Sequence, residues 1–255
     1  MPLDLSFNEA KTRASLVFSH PKGNIITLEL VQQMRAAFED LSRFRHLKLV
    51  TVEGAGADFS LGADIAEHAP GVIDRVLPET HELISECLEF PAPTAAIVRG
   101  RCLGGGFELA LACDFIFAAD DATFGLPEIA LGVFPPAASV LLPKRVGAAR
   151  SAGPILTGQS KSAAAWHIDG LVEAVMPPAD LASFITDWFE RALAPHSAEA
   201  LRQALTASRG ALAAAARAEL PAVERLYLNE LMRTRDAIEG VDAFLNKRSP
   251  RWQDQ

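Results

Sequence analysis

A chain of 255 residues, 49% apolar and 22% charged, has the composition of a globular domain able to bury a large core. Its net charge of −8 argues against a general nucleic-acid binder, whose footprint is basic. The start, MPLDLSFNEAKTR, lacks the basic-then-apolar order of a signal peptide, and the longest apolar run, 102–119, is interrupted by Glu108, Asp114 and glycines, so no membrane span is expected. Cys87, Cys102 and Cys113 have no C-x-x-C spacing and sit in apolar contexts, which reads as reduced, buried thiols in a cytoplasmic protein.

In chain order, alternation in LDLSF and ASLVFS predicts two short strands joined by a turn over 8–13. PKGN breaks the pattern. Val31, Met34, Phe38 and Leu41 then recur at helical spacing within 28–44. LKLVTVEG predicts a buried strand, followed by the loop GAGADFSLGAD and a mobile stretch at HAPG, 68–71. A second amphipathic helix is expected from about Pro78 to Glu89. TAAIVRG is a further buried strand, CLGGGFE opens a short helix, and DFIFAAD is a strand again. Strand, loop and helix in repetition predict an α/β domain over 1–178 with ligand loops at strand ends. From 179 to 255 no strand pattern remains. Helices are expected over 181–192, 198–216, 220–231 and 237–246, either covering a cleft, packing on a neighbour or simply capping the fold.

Two glycine loops, FSLGAD and CLGGGFE, each follow a predicted buried strand. Such turns expose backbone N–H groups, and one from each loop can form an oxyanion hole; tight turns without a ligand would look the same. Glu108 and Glu128 are acids in apolar surroundings. They suit catalysis, or else a buried ion pair or a helix N-terminal charge. Ser60, Asp64, His68 and His81 read as surface residues rather than a triad, and the six histidines show no metal-ligand spacing. No metal or separate cofactor is expected.

The motifs F-S-x-G-A-D-I at 59–65, P-x-x-A-x-x-x-G-x-x-L-G-G-G-F-E-L-A-L-A-C-D at 93–114 and F-G-x-P-E-I-x-L-G at 124–132 resemble the enoyl-CoA hydratase/isomerase, or crotonase, superfamily. LTGQSKSAAAWHIDGLVEAV and AFLNKRSPRW are similar to its downstream segment and closing helix, so the resemblance covers nearly the whole chain. It implies a crotonase-like spiral of repeated ββα units with a helical C-terminal trimerisation region, assembled as a homotrimer or a dimer of trimers. It also implies an acyl-CoA thioester as substrate, coenzyme A being part of that substrate and not a cofactor.

Carried over by position, the oxyanion amides fall on Ala63 and Gly105, and the hydratase acids on Glu108 and Glu128. Leu61 matches the stretch that holds the adenine, with Asp64 and Ile65 beside it. Lys22 and Lys247 are similar to basic residues that meet the CoA phosphates. The resemblance gives water activation mainly to Glu108 and Cα protonation mainly to Glu128. Retention of both acids favours hydration over isomerisation, and the acidic chain disfavours a non-catalytic CoA-ester or RNA-binding role. The family's usual glycine-rich continuation is replaced by VFPPAASVLLPKR at 133–145. With AEH at 66–68, this resembles cyclohexa-1,5-diene-1-carbonyl-CoA hydratases of aromatic degradation; a generalist straight-chain enoyl-CoA hydratase is the alternative. Trp166 stands where the family usually has a small residue.

Overall fold

The computed structural model describes residues 2–69 and 71–255. The first two strands, β1 (Leu3–Phe7) and β2 (Arg13–Phe18), pair antiparallel. Asn8 fixes their turn, its Oδ1 accepting from the amides of Thr12 and Arg13 at 2.9 Å each. Parallel pairing then adds β3 (Leu49–Gly54), β4 (Thr94–Val98), β6 (Phe115–Ala119) and β9 (Ala174–Met176), giving the order β1-β2-β3-β4-β6-β9. All five residues of β4 are buried, as a parallel strand covered on both faces requires.

Two of the inner strands run on into a short second strand in another layer. After β4 comes β5 (Arg101–Leu103), and after β6 comes β7 (Thr123–Gly125); β8 (Lys161–Ser162) closes this smaller sheet in the order β5-β7-β8. The loop after β3 joins the same layer through bridges from Ser60 to Cys102 and from Ile26 to Ala63. This strand, second strand, helix repeat is the ββα spiral expected from the motifs. The repeat brings the loops at 23–26, 60–63 and 103–105 side by side.

Helix α1 (Leu28–Ser42) starts at Thr27, whose Oγ1 accepts from the Leu30 amide, and buries Val31, Met34, Phe38 and Leu41 as their spacing predicts. Helix α2 (Ile73–Glu89) begins earlier than expected at Pro78. Ile73, Val76 and Leu77 already face the core, and Pro78 leaves unbonded only the carbonyl of exposed Asp74. The stretch expected to be mobile at 68–71 includes Pro70, which lies outside the described residues. Helix α3 (Gly105–Ala112) is wholly buried.

Helices α4 (Pro136–Val146), α5 (Ala148–Thr157) and α6 (Ala163–Ile168) were not anticipated as separate elements. Past β9, α7 (Leu181–Ala192) packs Leu181, Ile185 and Phe189 on Phe117, Ala119 and Leu49 of the outer sheet face. The two helices expected over 198–231 are one, α8 (Ala198–Arg225), which runs through Pro221 and packs on α2 and α4. Pro221 lies on the exposed face, while Ala216 and Leu220 stay buried below it. A π-turn, Leu226–Glu230, follows, and α9 (Arg235–Leu245) ends the chain's helices.

Candidate active site

A cavity of about 580 Å³ opens where the three loops meet. Ala63 is placed by its neighbours. Ile26 donates to the Gly62 carbonyl at 2.9 Å and accepts from the Asp64 amide at 3.0 Å. The alternation of an extended strand turns the Ala63 amide the other way, toward the start of α3. Gly105 is the first residue of α3, where N–H groups have no acceptor within the helix. A Cβ built on Gly105 would lie 3.5 Å from the Ala63 nitrogen, so one methyl group would fill the space between the two loops. The Gly105 amide stands at the positive end of a helix, and the Ala63 nitrogen lies close by on the neighbouring loop.

The triple glycine is needed for closeness more than for turning. Gly104 has φ +49°, and a Cβ there would stand 2.7 Å from Glu128 Oε1; one on Gly106 would meet Ser60 Cβ at 2.5 Å. Backbone therefore touches both the acid and the neighbouring loop.

Glu108 is 6% exposed and lies one turn into α3. Its Oε1 accepts from the Ala138 amide at 2.9 Å, at the start of α4. Burial raises its pKa, and the Ala138 hydrogen bond works against that rise. Glu128 sits in a 3-10 turn, Pro127–Leu131, on the cavity wall, and its Oε2 is buried without a protein partner. Burial first, then the charge of Glu108, push it up to about 8. Each carboxylate is buried and the charge of Glu108 bears on Glu128, so the pair resists being ionised together. One acid can then act as base while the other acts as acid. Tyr227, on the π-turn, is buried beside them and its ionisation is resisted by burial and by both carboxylates.

Lys22, Leu61, Ala63, Asp64, Ile65 and Glu128 line the cavity, as does Gly104; Gly105 and Glu108, on the helix that follows, do not. Lys247 does not line it. The chain turns at Lys247 with φ +53°, and the next residue, Arg248, reaches the cavity instead, held by Glu239 and by Asp242 at 2.6 Å. Two expected surface residues are buried. Ser60 is fully buried and donates to the Asn24 carbonyl at 2.7 Å, while His81 is 5% exposed and bonds Glu224, so no triad forms. Trp166 is packing: its ring meets Phe107 at 5.8 Å and carries Lys161 Nζ 4.0 Å from its centroid, bracing the residue before Glu108. Ala138 was missed as a site residue, although Pro135-Pro136 is a helix-start signal. Tyr227 carried no local signal, since it comes near the acids only by tertiary packing.

The enoyl-CoA hydratase/isomerase family model matches residues 9–255. The chain belongs to the enoyl-CoA hydratase/isomerase family. It is 39% identical to the cyclohexa-1,5-dienecarbonyl-CoA hydratase of Thauera aromatica over 254 residues, covering 100% of this chain and 98% of that one. It is 36% identical to the 2,3-dehydroadipyl-CoA hydratase of Escherichia coli K12, covering 89% and 88%. Among solved structures, an enoyl-CoA hydratase from Mycobacterium avium subsp. paratuberculosis superposes with a TM-score of 0.88 at 28% identity, covering 100% and 99%. The enzyme is a hydro-lyase that adds water to an enoyl-CoA thioester. Among the described residues no group of His, Cys, Asp and Glu could hold a metal ion, and no helix is long and apolar enough to cross a membrane.

Proposed function

We propose that the hydratase acts on a cyclic dienoyl-CoA thioester, of the cyclohexa-1,5-diene-1-carbonyl-CoA type. The observation that carries this is identity along the whole chain with a hydratase of that name, joined to α4. The segment that replaces the usual glycine-rich continuation forms this helix, and the helix supplies the Ala138 amide to Glu108. The acid is thus held by the part of the chain that departs from the common family pattern.

The thioester oxygen lies between the amides of Ala63 and Gly105, which stabilise the enolate as water adds at Cβ. Each such donor is worth about 2.7–4 kcal/mol. Glu108 takes the proton of the attacking water, and Glu128, protonated by its surroundings, delivers one to Cα. Lys22 and Arg248 are the basic groups at the cavity rim for the CoA phosphates, with Leu61 and Ile65 as apolar wall. Coenzyme A enters and leaves as part of the substrate, and no other cofactor is required. The enzyme works in the cytoplasm as a homotrimer or a pair of trimers.

The test is a turnover panel of crotonyl-CoA, a longer enoyl-CoA and the cyclic dienoyl-CoA. The cyclic compound is expected to show a kcat/KM at least about tenfold above the others, the scale on which pocket shape discriminates. A clear straight-chain preference contradicts the cyclic assignment and leaves the hydratase.

A further inference from the structure

Residues 251–255 fold back along α9 and are tied to its first two turns. Asp236 accepts from the amides of Gln253 and Asp254, at 2.7 Å each, and Glu239 accepts from the Arg251 amide at 2.8 Å. The Arg235 amide donates to the Gln255 carbonyl at 3.0 Å. Trp252 stands between these ties. A Cβ built on Gly240 would lie 3.1 Å from Trp252 Cη2, and one on Gly132 would lie 3.1 Å from Trp252 Cζ3. The ring therefore sits in the seam between α9 and the end of the 3-10 turn Pro127–Leu131.

That turn carries Glu128, and Gly132 closes it. Gly132 is left-handed, with φ +70°, and its amide donates to the Ile129 carbonyl at 3.1 Å. The Val133 amide donates to the carbonyl of Glu128 itself at 3.3 Å. The seam has no room for side chains at the two glycines: a Cβ on Gly240 would meet the Leu131 carbonyl oxygen at 2.0 Å, and one on Gly132 the Asp236 carbonyl oxygen at 2.9 Å. Helix α9 thus lies on the turn backbone to backbone, with the tryptophan ring at the edge of that contact. On the far side, Glu128 Oε1 meets the start of α3, 2.7 Å from a Cβ built on Gly104. Play in the turn becomes play in the carboxyl.

A side chain that only pinned 251–255 to α9 would need the Gly240 face alone. This ring also reaches the glycine that ends the acid's turn. We propose that Trp252 is a positioning residue for Glu128: its ring, seated on Gly240 and Gly132, clamps the acid's turn against the start of α3 and keeps the carboxyl dry and aimed at Cα. This rests on the assignment of Glu128 as the acid.

The charged groups around Glu128 are accounted for. Glu108 and Tyr227 bear on it from α3 and the π-turn. From α9, Arg235 bonds Gln253, while Asp236, Glu239 and Asp242 hold the amides of 251–254 or Arg248. Helix α5 brings Arg150, 3.2 Å from Asp169. Lys22, Asp64, His68 and Arg248 share the cavity with it. An uncharged replacement of Trp252 alters none of these charges, so a shift in the titration of Glu128 reports its access to water.

The test is the pH profile of kcat/KM for Trp252→Ala and Trp252→Leu, on whichever of crotonyl-CoA and the cyclic dienoyl-CoA turns over faster. Leucine keeps apolar bulk near the backbone and removes the ring atoms that reach the two glycines. In both variants kcat is expected to fall about tenfold with KM nearly unchanged, as a small misplacement at the reacting centre would produce. Glu128 must be protonated to act, so its titration sets the basic limb. Burial holds that titration high; water admitted by a loosened turn lowers it, and the basic limb is expected to move down by about one pH unit. A basic limb that stays in place or moves up, with or without a loss of kcat, overturns the proposal; if Trp252→Ala does not fold, Trp252→Leu decides. Glu128→Gln is run alongside. Near-normal turnover there removes the acid assignment and this inference with it; an inactive Glu128→Gln beside unmoved limbs in the Trp252 variants removes the inference alone.

Discussion

Glu108 and Glu128 differ in how they are held, and the difference is chemically useful. Glu108 has an amide donor from Ala138, which favours its charged form, while Glu128 has a buried oxygen with no protein partner. An acid of the second kind prefers its proton. The consequence for stability has a definite sign. The folded pKa of Glu128 lies above its unfolded value, so folding binds a proton between the two, and stability falls as pH rises through that window. Glu128→Gln removes the penalty. Its melting temperature is expected to exceed that of the wild type at pH 8–9 by a few degrees, and the gap to shrink toward pH 5; thermal scans across pH would check this, and a constant gap would contradict it. Glu108 was legible in the sequence because one carboxylate interrupts an apolar run behind three glycines. Tyr227 was not, because an aromatic residue in a helical segment looks the same whether it meets core side chains or the two acids far along the chain. Lys247 misled for a related reason: a single left-handed residue decides which of two adjacent basic side chains turns inward.

At the scale of elements, the site depends on how α3 and α8 are seated. Gly106 lets α3 press against Ser60, and Gly106→Ala would force a methyl to within 2.5 Å of the serine Cβ. Overpacking of this kind costs about 1–3 kcal/mol. Because α3 carries both Gly105 and Glu108, kcat is expected to fall together with stability, and an unchanged melting temperature would show that the contact relaxes freely. Helix α8 is tied down by Arg209, whose Nη1 lies 2.9 Å from Asp114 Oδ2, and Asp114 in turn accepts from Thr94 at 2.8 Å. Both charged side chains are about one-tenth exposed. Arg209→Ala leaves Asp114 buried and unpaired, and a loss of about 3–5 kcal/mol is expected in denaturant titration. A loss below about 1 kcal/mol would place the pair with ordinary surface ion pairs. Helical spacing exposed α1 in the sequence, and an Ala- and Leu-rich composition exposed α7 and α9. The start of α2 and the continuity of α8 were not read: Pro78 and Pro221 both sit inside helices, where the residues four positions before them, Asp74 and Arg217, are exposed.

For the whole molecule, alternating strand, loop and helix was readable from the pattern, because glycine loops follow buried strands, whereas the ββα spiral came only from the family resemblance. The short strands β5, β7 and β8 were not readable, since two or three residues carry no period; they exist because neighbouring turns supply their partners. Apolar side chains left exposed away from the cavity, such as Ile168 at 85% and Leu156 at 68%, are consistent with the proposed assembly into trimers. Light scattering is expected to give three or six times the chain mass of 27.3 kDa, and a monomeric mass at micromolar concentration would contradict it. The central claim is that Glu108 and Glu128 share the chemistry of one water. It is tested most directly by steady-state turnover of the best thioester with Glu108→Gln and Glu128→Gln, affinity being measured in parallel by calorimetry. Each variant is expected to lose about 10²–10⁴-fold in kcat while binding the thioester within a few-fold of the wild type. Near-normal turnover in either variant would contradict the two-acid account.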